Sequence, residues 1–222
     1  MMKIQVERGD VLWVEYAEQQ VSKLQLVVQN DKGNRFSPTT IVIPLVEEKR
    51  SHIQVEDDIS LAKGKYVVYE PRTIAEQRIK RKVGKVSPET MNKVDALARM
   101  IFQFKEGTGD VYWVQMAGSV GSEQKGKRPC VVLRNSRIVI PLTGSKNMRT
   151  KLPTQFEVTA DDFMNKYEAM KKGMESLSRA MTEQMQFIDD VTRIGDKIGT
   201  LKKGKEQEIN RSINVSIGIE AL

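Results

Sequence analysis

Short runs of apolar, mostly β-branched residues recur along the chain and are separated by polar segments. The clearest are 26–28 (LVV), 41–45 (IVIPL), 130–133 (CVVL) and 138–142 (IVIPL). Around them, as in 11–14 (VLWV), the pattern alternates with a period of two. Short β-branched runs and period-two alternation are typical of strands that pack on a core. The pattern therefore predicts two sets of short strands that form small, strongly curved sheets.

Two other segments have a helical period. Apolar residues recur every three or four positions at 91, 94, 97, 98 and 101, and again at 209, 213 and 217. This spacing places them on one face of an α-helix. Ser87 and Pro88 precede the first of these segments, and proline is common at the first position of a helix. We therefore expect one helix at the end of each set of strands.

A third helix is predicted over 161–181. Its apolar residues fall at spacings of three and four, and two aspartates open it, where the helix dipole favours acidic groups. These apolar residues are Phe163, Tyr167, Met170, Met174 and Leu177. We expect this methionine-rich face to pack on the core, and binding of a partner is the alternative.

The chain also contains an internal repeat. The segment 8–14 (RGDVLWV) returns as 108–114 (TGDVYWV), and IVIPL occurs in both halves. The matches keep their order while their offset drifts, as expected after duplication followed by insertions and deletions. The repeat predicts two domains, 1–104 and 105–222, with the additional helix in the second. Because the junction at 104–108 is short, we expect an α+β fold of two packed, SH3-like β-barrel lobes, each closed by a C-terminal helix.

Composition excludes several classes of protein. No run approaches the roughly 20 apolar residues of a membrane-spanning helix, so we expect no membrane association. The single cysteine, Cys130, cannot form an intrachain disulfide, which favours a cytoplasmic location. The single histidine, His52, has no acidic or cysteine partner at a suitable spacing, so we expect neither a histidine-based hydrolase nor a metal or cofactor site. A formal net charge of +7 favours a polyanionic partner such as nucleic acid.

The second copy contains GDVYWV at 109–114, GSEQ at 121–124 and the step Arg128-Pro129. The first copy contains QNDKGNRFSPT at 29–39 and PRTI at 71–74. Together these segments resemble the MazF/PemK/Kid family of toxins. The resemblance implies β-barrel-like subunits that form a symmetric homodimer, so the two copies are expected to form an intrachain pseudo-dimer and the chain to be monomeric.

The same resemblance implies a function. Family members are metal-independent, sequence-specific endoribonucleases that cut single-stranded RNA and leave 2′,3′-cyclic phosphate and 5′-hydroxyl ends. A cognate antitoxin holds them inactive, so an antitoxin-like protein is an expected partner. The catalytic arginine of the family corresponds to Arg128 and the catalytic threonine to Thr143, while Glu183 falls near an acidic position and is a candidate helper. In the first copy Lys23 stands near the position of the arginine and Val46 at that of the threonine, so we expect the first copy to have lost its catalytic site.

These residue types suit RNA cleavage without a metal. The substrate supplies its own nucleophile, the 2′-hydroxyl group, and an arginine fork stabilises charge that develops on phosphoryl oxygens. Candidate RNA contacts fall into two groups, one beside the arginine and one in the first copy. They are Glu123, Gln124, Lys125 and Lys127, and Asn34, Arg35, Phe36 and Ser37. Two alternatives remain: Arg128 could cap its loop or pair with Glu123, and 34–37 could be an ordinary polar hairpin tip.

The leading hypothesis is a single-chain endoribonuclease with one active site in the second lobe. The competing hypothesis is a catalytically silent relative that binds an antitoxin, a toxin subunit or nucleic acid. Divergence of the two copies favours the binding hypothesis, since the second copy lacks the loop at 34–39 and has Gln186 where the first copy has Arg72. Retention of Arg128 and Thr143 in one lobe favours the endoribonuclease hypothesis.

Overall fold

The computed structural model describes residues 4–16, 21–46, 54–56, 65–103, 109–117, 120–133, 137–144, 150–174 and 177–220. His52 and the junction at 104–108 lie outside these ranges. No helix in the described part of the chain is long and apolar enough to cross a membrane.

The first lobe is an antiparallel sheet with two helices. Its strands are β1 Asp10–Tyr16, β2 Val21–Val27, β3 Thr39–Val46, β4 Gln54–Glu56, β5 Lys65–Val67, β6 Arg72–Ala75 and β7 Ile79–Lys85. They lie in the order β4-β5-β3-β2-β1-β7, and β6 also pairs with β3. The helices are α1 Asp31–Phe36 and α2 Pro88–Ile101.

The second lobe repeats this topology. Its strands are β8 Asp110–Met116, β9 Gly126–Val132, β10 Ile138–Gly144, β11 Gln155–Thr159, β12 Leu177–Met181, β13 Gln186–Phe187 and β14 Ile194–Thr200. Their order is β11-β12-β10-β9-β8-β14, with β13 also paired to β10. The helices are α3 Lys166–Lys171 and α4 Glu206–Ser216. The two sheets confirm the predicted α+β fold of two lobes.

Each lobe ends in the helix that the apolar period predicts. In α2, the Ser87 hydroxyl accepts a hydrogen bond from the Thr90 amide at 3.1 Å, and Pro88 occupies the first helical position. The cap satisfies one of the amides that a helix start leaves without an intrahelical partner. α2 buries Met91 and Val94, and α4 buries Ile209 and Ile213.

The prediction of a single helix over 161–181 is wrong. The segment forms a 3₁₀ turn, Ala160–Asp162, then α3, and then the strand β12. Gly173, with a φ of +92°, follows α3 and ends it in a conformation that favours glycine. Strand β12 pairs with both β10 and β11, and this pairing overrides the helical spacing of its apolar residues.

The apolar residues of that segment consequently point in different directions. Phe163 and Met174 are buried in the core, as expected. Tyr167 is 74% exposed and Met170 is 48% exposed, so the helical part of the segment turns its apolar side chains to solvent. The expectation that the whole methionine-rich face packs on the core therefore holds only for the residues flanking α3.

The central strands β3 and β10 contribute to two cores at once. Ile41 and Ile43 of β3 join Ile138 and Ile140 of β10 in one apolar cluster that extends across both lobes and includes α2 and α4. The alternate residues face the other way, with Val42 in a cluster confined to the first lobe and Val139 in one confined to the second. Both faces of these strands are buried, which explains the continuous apolar runs in the sequence.

Hydrogen bonds join the lobes at the end of α4. The Asn30 side-chain Nδ2 donates to the Val215 carbonyl at 2.8 Å, and the Asn30 amide donates to the Ser216 carbonyl at 3.0 Å. The Arg8 Nε donates to the Ile217 carbonyl at 3.0 Å. These carbonyls lie at the C-terminal end of the helix, where intrahelical donors are missing. The first lobe therefore caps the last helix of the second.

Asn30 also caps α1, because its Oδ1 accepts the Gly33 amide at 2.6 Å. We predict that Asn30→Ala lowers the free energy of unfolding by about 2 kcal/mol, since it removes both the cap and the bond to Val215. Asn30→Ser keeps a capping oxygen and should lose about 1 kcal/mol. Chemical denaturation of both variants measures the difference, and equal stability of the two would contradict this account.

Candidate functional site

The strand register shows which residues of the two lobes correspond. In the first lobe Val14 of β1 lies opposite Lys23 of β2, and in the second Val114 of β8 lies opposite Arg128 of β9. Lys23 therefore occupies the position of Arg128, in agreement with the alignment from the sequence. The first lobe keeps a positive charge there but not the forked guanidinium.

Thr143 lies on the strand beside Arg128. The β9–β10 ladder ends with the pair Cys130 and Pro141, and Arg128 and Thr143 each lie two residues beyond that pair on their own strands. Because successive side chains alternate between faces, Arg128 and Thr143 share the face that carries Cys130 and Val139. The fold thus places the two residues that the sequence selects most strongly on one face of adjacent strands.

Pro141 marks a change of partner along β10. On the edge away from β9, β10 pairs with β13 through Ile138 and Val139 and with β12 from Leu142 onward. Proline has no amide hydrogen, so it fits at the gap between these ladders. The second ladder, with β12, then carries Thr143.

Arg179 is a neighbour that the sequence analysis missed, because it falls within the segment predicted as helix. It lies opposite Thr143 in the β10–β12 ladder and opposite Glu157 in the β11–β12 ladder. Its side chain is nearly buried, and Nη2 donates to the Glu157 Oε1 at 3.2 Å. A second guanidinium therefore lies on the same face of the sheet as Arg128 and Thr143.

The first lobe has other residues at the positions that match Arg128, Thr143 and Arg179, and none of them carries a hydroxyl group. Val46 lies opposite Lys65 in the β3–β5 ladder, at the positions that Thr143 and Arg179 occupy in the second lobe. Together with Lys23, the three matched positions of the first lobe therefore hold two lysines and a valine. The first lobe therefore lacks both the hydroxyl and the arginine forks.

The Arg128 guanidinium folds back on its own loop. Its Nε and Nη2 donate to the Lys125 carbonyl at 3.3 and 3.0 Å, and Nη1 donates to the Gln124 Oε1. Of the two alternatives that the sequence left open, the structure shows the loop cap and not the pair with Glu123. Lys125 is exposed, and Lys127 lies with Nζ 5.8 Å from the centre of the Trp113 ring.

Glu123 is buried between the lobes, with 8% of its surface exposed. Its Oε1 accepts from the Arg78 Nε and the Ala75 amide, both at 2.7 Å. Its Oε2 accepts from the Arg78 Nη2 and the Val120 amide, both at 3.1 Å. This placement argues against the predicted RNA contact of Glu123. The side chain is held by Arg78 of the other lobe, and the spacing of residues in the sequence could not reveal that contact.

Glu183 is not brought to Arg128. It lies in the 3₁₀ turn Thr182–Gln184, and its Oε1 accepts from the Gln155 Nε2 at 2.5 Å. Gln155 belongs to β11, which β12 and β10 separate from the strand of Arg128. Burial raises the pKa of the Glu183 carboxyl, and the bond from Gln155 opposes this shift.

Residues 34–37 are not a hairpin tip, because 34–36 form the end of α1. The buried Asn34 donates to the Gln29 carbonyl at 3.0 Å and accepts from the Thr40 hydroxyl at 2.7 Å, so its side chain is engaged inside the lobe. The Ser37 hydroxyl is bonded to Thr39. Arg35 and Phe36 face solvent, and the Phe36 side chain is 75% exposed.

A cleft of about 110 Å³ lies between the lobes. It is lined by residues of β1, β6, β13 and the turns beside them, namely Tyr16, Arg72, Thr73, Ile74, Arg78, Ala117, Glu123, Gln186, Phe187, Asp189 and Arg193. Glu123 precedes the predicted catalytic Arg128 by five residues, and Arg128 itself is not among the residues that line the cleft.

The lining of the cleft includes three arginines and two acidic residues. The Tyr16 ring lies 6.0 Å from the Arg72 guanidinium and 5.5 Å from that of Arg78. Burial raises the pKa of Tyr16 to about 12, so its hydroxyl stays protonated at neutral pH. Arg72 and Arg193 lie 4.0 and 3.3 Å from Asp189, and the Arg193 Nε donates to the Gln115 carbonyl at 2.9 Å. The remaining excess of one positive charge favours an anionic ligand.

Two further sequence expectations concern thiol and metal chemistry. Cys130 is fully buried, and burial raises the pKa of its thiol, so it acts as a small apolar residue of the core. Within the described ranges, no group of three or more histidine, cysteine, aspartate or glutamate side chains is arranged to hold a metal ion.

Comparison with known proteins identifies the family. The family model described as "PemK-like, MazF-like toxin of type II toxin-antitoxin system" matches residues 7–102 and 108–217. The chain therefore belongs to this family, with two tandem copies. It is also similar to the endoribonuclease MazF of Staphylococcus saprophyticus, with 30% identity over 122 residues that cover 51% of this chain and 92% of that protein.

Several solved structures are similar to one half of the chain. An endoribonuclease from a mycobacterial species has a TM-score of 0.40 and 21% identity, and the match covers 46% of this chain and 94% of that one. A MazE–MazF complex from Deinococcus radiodurans has a TM-score of 0.40 and 12% identity, with coverages of 44% and 95%.

The environment of Glu183 predicts a pH-dependent effect on stability. Because burial raises its pKa above the unfolded value of about 4.3, ionisation costs more in the folded chain, and stability is lost as the pH rises past that value. Glu183→Gln removes the ionisation, so we expect the variant to melt at a higher temperature than the wild type at pH 7. The gain should shrink toward pH 4.5 in thermal melts. A difference that does not change with pH would contradict this view of Glu183.

Proposed function

We propose that this chain is a sequence-specific endoribonuclease that cuts single-stranded RNA at one active site, in the second lobe. The observation that supports the proposal is the position of Arg128 and Thr143 on one face of adjacent strands. The matched positions of the first lobe hold Lys23 and Val46, so the same residue pair is not repeated there. Family membership and the MazF relative support the choice of reaction.

The proposed reaction uses the substrate's own nucleophile. The 2′-oxygen attacks the neighbouring phosphorus and loses its proton, while the bond from phosphorus to the 5′-oxygen breaks and that oxygen gains a proton. The products are a 2′,3′-cyclic phosphate and a 5′-hydroxyl, and the step as written requires no metal. Arg128 would stabilise the negative charge on the phosphoryl oxygens, and the Thr143 hydroxyl would donate to the same group. Glu183 faces β11 and is left out of this scheme.

The RNA strand is proposed to run from the Arg128 loop into the cleft between the lobes. Lys125 and Lys127 are exposed beside Arg128, while Arg72 and Arg193 line the cleft. Cationic side chains along the path of the RNA phosphate backbone increase affinity for any RNA sequence, because their binding releases counterions from the phosphates. The exposed Phe36, with Arg35 beside it, offers a stacking surface for a base at the rim of the first lobe.

A second candidate function is binding without cleavage. Its supporting observation is the Arg128 guanidinium, which is hydrogen-bonded to the Lys125 carbonyl and to Gln124 of its own loop. The partner in that case would be nucleic acid or an antitoxin-like protein, as the family's toxin-antitoxin character and the solved MazE–MazF complexes suggest. The extensive contacts between the lobes support a monomer that is a pseudo-dimer within one chain, and a cytoplasmic location is proposed with it.

Cleavage of a long mixed-sequence RNA in the presence of EDTA tests the leading proposal. We expect discrete cuts with 5′-hydroxyl ends from the wild type, and a loss of at least about 100-fold in rate for Arg128→Ala, because a transition-state contact is removed. Lys23→Ala, the same position in the other lobe, is the matched control and should cut at the wild-type rate. A folded wild type that does not cut would favour the binding function.

The proposed RNA path predicts a change in salt dependence. Arg72→Gln gives the first lobe the residue that the second lobe has at the matched position, Gln186. We expect weaker binding of a 2′-O-methyl RNA that cannot be cut, and a slope of log K against log salt that is smaller by about 0.7. Lys93→Ala, on the exposed face of α2, should leave the slope unchanged. An unchanged slope for Arg72→Gln would exclude its phosphate contact.

A further inference from the structure

We propose that the first lobe acts as the anchor of residues 120–128 of the second lobe, the catalytic loop that ends at Arg128, through the buried contact between Arg78 and Glu123. Both would be positioning residues that act on Arg128 through this loop. This inference rests on the proposed function, because it assigns a role in the reaction to a contact remote from the reacting atoms.

Most of the described hydrogen bonds to this carboxylate come from the first lobe. Among the described residues, Arg78 donates two hydrogen bonds to Glu123 and the Ala75 amide donates a third. A further bond comes from the Val120 amide of its own segment. A fork of two parallel bonds fixes the orientation of a carboxylate as well as its position. The first lobe therefore determines where Glu123 lies.

Glu123 is connected directly to the surroundings of Arg128. The next residue, Gln124, accepts the Arg128 Nη1, and the carbonyl of the residue after it, Lys125, accepts Nε and Nη2. Glu123 thus holds the start of the segment whose next two residues orient the catalytic guanidinium. Displacement of Glu123 would move both acceptors and, with them, Arg128.

The anchor itself is rigidly held. Arg78 is buried and lies in the 3₁₀ turn Glu76–Arg78, between strands β6 and β7. Its guanidinium lies 5.5 Å from the centre of the Tyr16 ring. Ala75 is paired with Thr39 in the β3–β6 ladder. The loop of the second lobe is therefore fastened to regular secondary structure of the first.

Within the described residues, the matched position of the second lobe makes a different contact. The residue that corresponds to Arg78 is Arg193, because Ile79 and Ile194 occupy matching positions opposite Val14 and Val114. Arg193 donates to the Gln115 carbonyl and pairs with Asp189 at 3.3 Å, and both partners belong to its own lobe. Arg78, in contrast, bonds to a carboxylate of the lobe that holds Thr143.

The test compares Glu123→Gln, Arg78→Gln and the double variant in steady-state cleavage of a short RNA that contains a mapped cut site. We expect kcat to fall by about tenfold to a hundredfold, because small displacements of a catalytic group have effects of this size, while KM stays within about threefold. The double variant should lose no more than either single variant, and Arg78→Lys should be intermediate. The control Arg99→Ala breaks a different contact between the lobes, the bond to the Ile219 carbonyl, and should keep the wild-type kcat.

Hydrogen exchange of the amides at 120–128 provides a readout that does not depend on activity. We expect faster exchange in Glu123→Gln and Arg78→Gln and no change in Arg99→Ala. Wild-type kcat in the folded variants, or unchanged exchange, would overturn the anchor. If the wild type itself does not cut RNA, the proposed function fails, and the exchange data alone decide whether the first lobe holds the loop.

Discussion

The structure depends on the fact that each sheet has two apolar faces. Ile41, Ile43 and Ile140 point into a cluster that neither lobe could bury alone, while Val42 and Val139 point into the separate interiors of the lobes. Exposure of the first face would leave a large apolar surface in water, which folded monomers rarely tolerate. The second lobe must therefore cover the first, and the joining of both in one chain makes that pairing intramolecular.

Covalent pairing has allowed the two copies to diverge in different directions. In a dimer of identical chains every change appears twice, whereas here each lobe changes independently. The first lobe has Lys23 and Val46 at the positions of Arg128 and Thr143, yet it supplies Arg78 to the interface and Arg72 to the cleft. A residue lost in one copy is tolerated where the other copy still provides what the shared cleft needs.

The sequence predicted much of the fold because most elements have a single clear signal. α2 has an apolar stripe, a capping serine and a proline at its start, and all three agree with the structure. The segment around α3 carries a helical spacing as well, but Arg179 and Ala180 belong to a strand between two others. Hydrogen bonding with neighbouring strands determined that conformation, and no local pattern of apolar residues reports on it.

The sequence alone determined the duplication and the two-lobed α+β fold, since repeats, alternation and motif spacing are all local along the chain. Only the tertiary structure decided the environments of the acidic residues. Glu123 lies against Arg78 and Glu183 against Gln155 because strands distant in sequence meet there. The hydrogen-bond donors around a carboxylate determine whether it can contact a substrate or is bonded inside the protein. For Glu123 and Glu183 those donors come from distant parts of the chain.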